Sequence, residues 1–265
     1  MPEEEPEEIE RRQRRLEERD RYLVRDRDEE EAVLEEVFDK ITLMNLYKLM
    51  RQGYISKVFG AVSSGKESRI YWAKNRGGED LAIKIYLTVT SAFGRKSMLR
   101  YIEGDPRFHK VKRDVRALIR LWASKEFKNL EQAYNAGVRV PKPIVVRDNI
   151  LVMEFIGEDG VPAPLLKDSI LDNPEAVYRR ILSNVSLLWV KAGIVHGDLS
   201  EYNIMFWRGE PVIFDLSQAL SIEHPNAQTL LIRDLKNINA FFSRFGLDLE
   251  SEEVLASRIM GGEIL

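Results

Sequence analysis

Residues 194–203, with the sequence IVHGDLSEYN, constrain this chain more than any other segment. Asp198 is followed by Asn203 five positions later, and Asp215 comes after a short predicted hairpin. Carboxylate and amide oxygens are ligands that Mg²⁺ accepts, and a nearby carboxylate can accept the proton of an attacking hydroxyl. Each residue alone would be an ordinary turn or strand end, but together they form the set that phosphoryl transfer requires. We predict that Asp198 orients the nucleophile and that Asn203 and Asp215 hold the metal.

A lysine in the third predicted strand completes this set. Lys84 lies in the alternating run LAIKIY. Its position in the strand order is typical of a lysine that contacts nucleotide phosphates, although a lysine pointing outward from an edge strand is the alternative. We predict that a glutamate on the following helix orients it. Glu126 is favoured over Glu131 because its apolar neighbours indicate an inward face.

The loop between the first two predicted strands, SSGKES, begins like a Walker A loop. However, Glu67 stands where a serine or threonine should hold Mg²⁺, and a strand rather than a helix follows. These departures exclude a P-loop NTPase. The residues expected to fold over a triphosphate, with hydroxyl, N–H and ammonium groups as donors, are Ser63, Ser64, Gly65 and Lys66.

Residues 151–157, LVMEFIG, have the pattern of a buried strand that runs into a hinge. We expect the main chain of Glu154 and Ile156 to pair with an adenine edge, with Met153 behind the base. An ordinary buried strand has the same pattern, because these contacts would be made by the backbone.

Hydrophobic periodicity predicts an α+β fold, with five antiparallel strands and one helix followed by a mainly helical half. The strands are predicted at 57–62, 69–73, 80–86, 144–147 and 150–155, and the helices at 37–50, 110–136, 174–192 and 226–245. A mobile insertion with few apolar anchors is predicted between the third strand and the helix. The predicted divisions are a charged extension at 1–36, a helical lead-in at 37–56, an N-lobe at 57–154 and a C-lobe at 155–265.

The net charge of -3 conceals an uneven distribution. Residues 1–39 carry 17 acids and 8 bases, whereas residues 95–128 carry 11 bases and 4 acids. A basic segment with interspersed aromatic residues can hold a polyanion, and a solvated helix face is the alternative. The chain has no cysteine, no stretch of about 20 apolar residues, and no signal-like start. We therefore expect a cytoplasmic protein without a membrane partner.

The segments SSGKES, IVHGDLSEYNIM and FDLSQA together resemble the RIO family of atypical protein kinases. The segment GDPRFHKVKRDVRALIRLWASKEFKNL and the helical lead-in are similar to its type-one branch. The resemblance implies a trimmed bilobal kinase fold without an activation loop, and no Ala-Pro-Glu follows Asp215 here.

The same resemblance implies an activity. It implies Mg-ATP as cofactor, with Mn²⁺ as a substitute, and transfer to serine, on a protein substrate or on the chain itself, or to water. It also implies transient phosphorylation of Asp215 and a role in maturation of the small ribosomal subunit, whose precursor and RNA would be the partners.

Two other functions fit parts of the pattern. A small-molecule kinase similar to the aminoglycoside phosphotransferases shares a His-Gly-Asp loop, but SSGKES and the pair Ser217 and Gln218 argue against it. A non-catalytic RNA or ribosome scaffold that holds ATP as a structural ligand is the other, and the complete set of catalytic polar groups argues against that. We predict a serine kinase and ATPase.

Overall fold

The computed structural model describes residues 38–65, 67–87, 98–99, 101–103, 105–108 and 114–265. The predicted extension at 1–36 and the predicted phosphate-loop residue Lys66 lie outside the described residues, as does most of the predicted insertion.

Five strands form one antiparallel sheet, and their bounds are Lys57–Ser64 (β1), Ser68–Lys74 (β2), Asp80–Tyr86 (β3), Pro143–Arg147 (β4) and Ile150–Glu154 (β5). Their order in the sheet is β1-β2-β3-β5-β4. This confirms the predicted five-stranded sheet. Strand β3 is central, and its Lys84 pairs with Ile70 of β2 and Leu151 of β5. A side chain at this position is therefore enclosed by its neighbours.

Helix α1, Lys40–Arg51, covers one face of this sheet. Its buried Leu46 and Leu49 belong to one hydrophobic cluster with Ile83 of β3. The Asp39 carboxylate accepts hydrogen bonds from the N–H groups of residues 41 and 42, at 3.0 Å each. Such a cap contributes about 1 kcal/mol, and it sets the start of the helix later than the predicted residue 37.

Helix α2, Val115–Asn135, packs on the opposite face of the sheet and is capped by Asp114. Residues of the preceding segment pack against it, because Met98 and Ile102 are buried beside Trp122. The described part of the predicted insertion therefore has apolar anchors that the sequence pattern did not indicate. The buried positions of α2 recur at intervals of three and four residues and are Leu118, Ile119, Trp122, Ala123, Lys125, Glu126, Asn129, Leu130 and Ala133.

The second half is mainly helical, as predicted. Short antiparallel pairs connect its helices, and the described residues include no helix long and apolar enough to cross a membrane. The helices are Pro174–Val190 (α3), Ala227–Phe242 (α4) and Glu252–Met260 (α5), of which α5 was not predicted. The short strands are Gly157–Glu158 (β6), Val161–Pro162 (β7), Ile194–Val195 (β8), Ile204–Trp207 (β9), Glu210–Ile213 (β10) and Leu220–Ser221 (β11).

Candidate active site

Lys84 lies between two carboxylates from different parts of the fold. Its Nζ is 2.9 Å from Glu126 Oε1 on α2 and 2.8 Å from Asp215 Oδ1 after β10. Burial acts to lower the pKa of Lys84, but the charges of Asp215 and Glu126 outweigh burial and raise that pKa above its ordinary value. The ammonium therefore stays charged and joins the sheet, α2 and the second half. Glu126, the predicted glutamate, is the one that contacts it.

Glu126 uses only one of its carboxylate oxygens in this contact. Its side chain is 1% exposed, and within the described part of the chain its Oε2 has no hydrogen-bond partner. Burial raises the pKa of Glu126, and the charge of Lys84 opposes that rise. The pairing with Lys84 therefore favours the negative charge of Glu126 and opposes the effect of its burial.

Asp215 has a left-handed backbone, with φ 59° and ψ 59°. This conformation is uncommon for a non-glycine residue and persists where the surroundings enforce it. Ser217 Oγ donates to Asp215 Oδ1 at 2.9 Å. Burial acts to raise the pKa of Asp215, but the charge of Lys84 and hydrogen bonds from Lys84 and Ser217 lower it to about 2. The side chain is 42% exposed, so an ionised carboxylate is accessible to a ligand.

The side-chain amide of Asn203 has a fixed orientation. Its Nδ2 donates to the main-chain carbonyl of Asp198 at 2.6 Å, and the main-chain carbonyl of Asn203 accepts from the Phe214 N–H at 3.0 Å. Because the Asp198 carbonyl can only accept a hydrogen bond, it must be the NH₂ group of Asn203 that faces it. The side-chain oxygen of Asn203, Oδ1, has no donor among the described residues. The backbone bond to Phe214 keeps Asn203 next to the segment that carries Asp215.

These two side chains fit a magnesium ion that is shared with a nucleotide. Mg²⁺ is usually held by one or two protein side chains together with phosphate oxygens and water. No cluster of three or more histidine, aspartate or glutamate side chains able to hold a metal occurs in the described ranges. Asp215 and Asn203 thus supply the number and type of oxygen ligands that such a shared site needs.

Helix α4 holds the loop that carries Asp198. The buried Asp234 accepts from the N–H groups of Gly197 at 2.7 Å and Leu199 at 2.9 Å. Burial raises the pKa of Asp234 to about 6. Asp234 was not predicted from the sequence. A signal for it exists, because Asp234 lies three residues after the buried Leu231 on the apolar stripe of α4.

Asp198 itself has a polar contact to the segment after Asp215. Its Oδ2 accepts from Gln218 Nε2 at 3.3 Å. Burial raises the pKa of Asp198, and the charge of Arg233 opposes that rise. The buried His196 is committed to structure, since its Nε2 donates to the Phe214 carbonyl at 3.1 Å and its Nδ1 accepts from the Asp198 N–H at 3.3 Å. The predicted catalytic loop and the predicted metal segment are thus tied together.

The predicted phosphate loop lies at the β1–β2 turn. Ser63, Ser64 and Gly65 are exposed, and the Gly65 N–H donates to the Ser68 carbonyl at 2.9 Å. Glu67, two residues after Gly65, is close enough to Asp215 and Lys84 for their charges to affect its pKa. Burial raises its pKa, Asp215 raises it further, and Lys84 lowers it.

The predicted hinge presents one acceptor and one donor two residues apart. The Glu154 N–H donates to the Lys142 carbonyl at 2.8 Å, so the main chain of Glu154 can offer a base only its carbonyl. The Ile156 carbonyl accepts from the Ala163 N–H at 2.9 Å, while the Ile156 N–H has no acceptor among the residues described. This pair suits the adenine edge, which has an amino donor beside a ring acceptor. Met153 is buried in the preceding strand.

Comparison with known proteins identifies the family. A family model described as RIO domain matches residues 69–255. A RIO-type serine/threonine-protein kinase Rio1 from Haloferax volcanii is 41% identical over 236 residues, which cover 89% of this chain and 80% of that protein. The corresponding Methanocaldococcus jannaschii protein is 42% identical, over 86% of this chain and 77% of the relative. Human serine/threonine-protein kinase RIO1 is 38% identical, over 87% of this chain and 41% of the human protein.

A solved structure gives the same result. The Rio2 kinase from Chaetomium thermophilum, in an ADP/Mg²⁺-phosphoaspartate complex, matches with a TM-score of 0.61 and 25% identity. The match covers 80% of this chain and 64% of that chain, so this protein spans less than two thirds of the matched structure. These findings confirm the kinase-like fold and the resemblance noted from the motifs. The chain belongs to the RIO family of atypical serine/threonine protein kinases, and its curated relatives are of the Rio1 type.

Proposed function

We propose that this kinase binds Mg-ATP between the hinge, the β1–β2 loop and Asp215, and transfers the γ-phosphoryl to serine or to water. The observation that carries the proposal is the position of Lys84, held by Glu126 and Asp215 at 2.9 and 2.8 Å. A buried, charged ammonium beside an accessible carboxylate is suited to phosphate oxygens. The hinge donor and acceptor suit the base that such phosphates would accompany.

Each residue has a distinct role in this proposal. Asp215 and Asn203 would hold Mg²⁺, which neutralises the negative charge that develops on the transferred phosphoryl. Lys84 orients the phosphates and keeps the Asp215 carboxylate ionised. Asp198 accepts the proton of the attacking hydroxyl, with its carboxylate held by Gln218.

Asp215 is also the proposed acceptor of a transient phosphoryl group. Support comes from its ionised and accessible carboxylate and from the related Rio2 kinase, whose structure contains a phosphoaspartate. In this step a carboxylate oxygen forms a bond to the γ-phosphorus and ADP leaves. Hydrolysis of the acyl phosphate then restores Asp215, and the net reaction is that of an ATPase.

The proposed partner is a small-ribosomal-subunit precursor with its RNA. Several of the 11 bases counted between residues 95 and 128 are not free to contact RNA, since Lys125 is buried and Arg107 is paired with Asp105. Arg116 and Arg120 both contact Asp148. The bases that carry this part of the proposal lie outside the described residues and are Arg95, Lys96, Arg100, Lys110, Lys112 and Arg113.

Steady-state ATP turnover, measured with and without purified small-subunit precursor, tests both parts. Asp215→Ala should abolish Mg-dependent turnover, whereas Asp168→Ala, at a half-exposed aspartate outside the candidate active site, should leave it unchanged. The precursor should raise turnover at low salt and lose this effect as salt rises. Turnover that survives in Asp215→Ala would contradict the site. If the precursor leaves turnover unchanged and the protein phosphorylates an aminoglycoside, the result would favour a small-molecule kinase.

A further inference from the structure

Lys125 is a buried charged residue that the proposed chemistry does not use. It is 0% exposed, and its Nζ donates to the carbonyls of Ser217 at 2.8 Å and Ala219 at 2.6 Å. Burial and the charge of Arg107 lower the pKa of Lys125 to about 7, against an opposing effect of Asp105. Both hydrogen bonds go to the short 3₁₀ turn, Leu216–Gln218, and the residue after it.

Asn129 lies one helical turn further along α2 and contacts the same segment. Its Nδ2 donates to the carbonyls of Leu216 at 2.8 Å and Ala219 at 3.1 Å. Residues four apart share one helix face, so Lys125 and Asn129 form a single row. Together they take up the carbonyls of three residues in the segment after Asp215.

A third donor comes from the segment that precedes α2. Arg107 donates to Asn129 Oδ1 at 2.8 Å and to the Ala219 carbonyl at 3.4 Å. Its guanidinium is held by Asp105, at 2.7 Å between Nη2 and Oδ2. The described residues 105–108 are therefore connected to the segment after Asp215 through a continuous set of hydrogen bonds.

The side chains of the same turn contact the two central carboxylates. Ser217 Oγ donates to Asp215 Oδ1 at 2.9 Å, and Gln218 Nε2 donates to Asp198 Oδ2 at 3.3 Å. The carbonyls of the turn thus face α2 while its side chains contact Asp215 and Asp198. A shift of the turn would move both carboxylates.

We propose that Lys125 is a positioning residue that holds the 216–219 segment on α2 and so maintains the orientation of the Asp215 carboxylate. Arg107 also holds this segment, through the Ala219 carbonyl and Asn129, and so connects residues 105–108 to the segment that follows Asp215. Without the lysine, the buried Ser217 carbonyl loses its one donor among the described residues, and the Ala219 carbonyl loses the shortest of its three hydrogen bonds. The turn must then move for the Ser217 carbonyl to find water. The uncommon backbone of Asp215 then loses part of the surroundings that enforce it. The role of the metal in this inference rests on the proposed function, whereas the support of the turn does not.

Lys125→Met tests the proposal, with Lys128→Met as the matched control because Lys128 is exposed on the same helix. Affinity for a fluorescent ADP analogue is measured with saturating Mg²⁺ and with EDTA, and turnover is measured against Mg²⁺ concentration. In Lys125→Met the Mg²⁺ concentration for half-maximal turnover should rise about tenfold or more, as expected for lost buried hydrogen bonds. Nucleotide affinity in EDTA should stay within about twofold, because the hinge does not depend on the turn. Lys128→Met should match the wild type.

Hydrogen exchange of a peptide spanning 216–221 provides a readout that needs neither nucleotide nor activity. Exchange should be faster in Lys125→Met than in the wild type or Lys128→Met. If Lys125→Met is poorly folded, Arg107→Met should show the same two effects to a smaller extent, with Arg120→Met, at an exposed arginine on α2, as control.

Two results would overturn the proposal: unchanged exchange and Mg²⁺ dependence in Lys125→Met and Arg107→Met, or equal loss of nucleotide affinity with and without Mg²⁺. If Asp215→Ala retains Mg-dependent turnover, the proposed function fails, and the exchange result alone decides whether Lys125 supports the turn.

Discussion

Lys84→Met should destabilise the protein in a pH-dependent manner, because it leaves the buried carboxylate of Glu126 without its positively charged partner. In the folded protein, Glu126 Oε1 has the Lys84 ammonium at 2.9 Å, and Oε2 has no partner within the described ranges. The methionine fills a similar space but supplies no positive charge. The folded chain must then bury an unpaired carboxylate or bind a proton there.

The magnitude follows from the burial of the pair. Removal of one partner from a buried ion pair typically costs about 3–5 kcal/mol. Glu126 is 1% exposed and falls within that class, whereas Asp215 is 42% exposed and loses little, because water screens its charge. We therefore expect a loss of about 3–5 kcal/mol in the free energy of unfolding at pH 8.

The direction of the pH dependence follows from linkage. In the variant, the pKa of Glu126 in the folded state lies well above its value in the unfolded chain, so the folded state keeps a proton that the unfolded state has released. Stability then falls as pH rises above the unfolded pKa, by up to about 1.4 kcal/mol per pH unit. The deficit relative to the wild type should be clearly smaller at pH 5 than at pH 8.

Urea unfolding at pH 5 and pH 8 measures this, with Lys74→Met as the control from the neighbouring strand. Lys74 forms exposed pairs with Asp80 and Asp159, and its loss should cost less than about 1 kcal/mol. The double variant Lys84→Met with Glu126→Gln should recover most of the stability and lose the pH dependence, but remain inactive. A deficit in Lys84→Met that is equal at both pH values would refute the reasoning, as would a double variant no more stable than the single one.

Two further predictions concern the loop of residues 197–199. Asp198→Asn should bind nucleotide with near-normal affinity and lose turnover by about 10²-fold or more, in single-turnover and binding assays, and equal losses of both would indicate a structural role instead. Gly197→Ala should destabilise the protein by about 1–2 kcal/mol in urea unfolding, because its φ is 78° and a Cβ would lie 3.4 Å from Leu230 Cδ1. Gly193→Ala has a similar φ of 67° with nothing within 4 Å, so it should cost less, and the reverse order would contradict the contact argument.

The sheet was predictable because its strands are short runs rich in β-branched and aromatic residues, separated by glycine-containing or polar turns. Element ends were less predictable, since the periodicity of a helix does not show which residue caps it. Asp39 and Asp114 set the starts of α1 and α2 through side-chain hydrogen bonds to backbone N–H groups. Helix α5 was missed because it has nine residues and few buried positions, although Ser251 and the acids after it form a recognisable N-terminal cap.

The residues that the fold brings together in the candidate active site were predictable where they occur in a local motif. Asp198, Asn203 and Asp215 lie within 18 positions of one another, and Lys84 has a recognisable strand context. Residues that support this site from a distance carry no such motif. Asp234 lies 36 positions after Asp198, and only the fold brings its carboxylate to the two N–H groups of the loop.

The charge count of residues 95–128 overestimates the basic charge at the surface, because it includes a buried lysine. Each lysine contributes equally to such a count, but Lys125 is buried under the turn after Asp215, whereas Lys128 is exposed. The signal that separates them is position on the helix. Lys125 and Asn129 both lie on the stripe that continues from Trp122 at intervals of three and four residues. A polar residue on an apolar stripe must find partners inside the protein, and Lys125 finds them in the Ser217 and Ala219 carbonyls of the segment that follows Asp215. The apolar neighbours that indicate an inward face for Glu126 therefore indicate one for Lys125 as well.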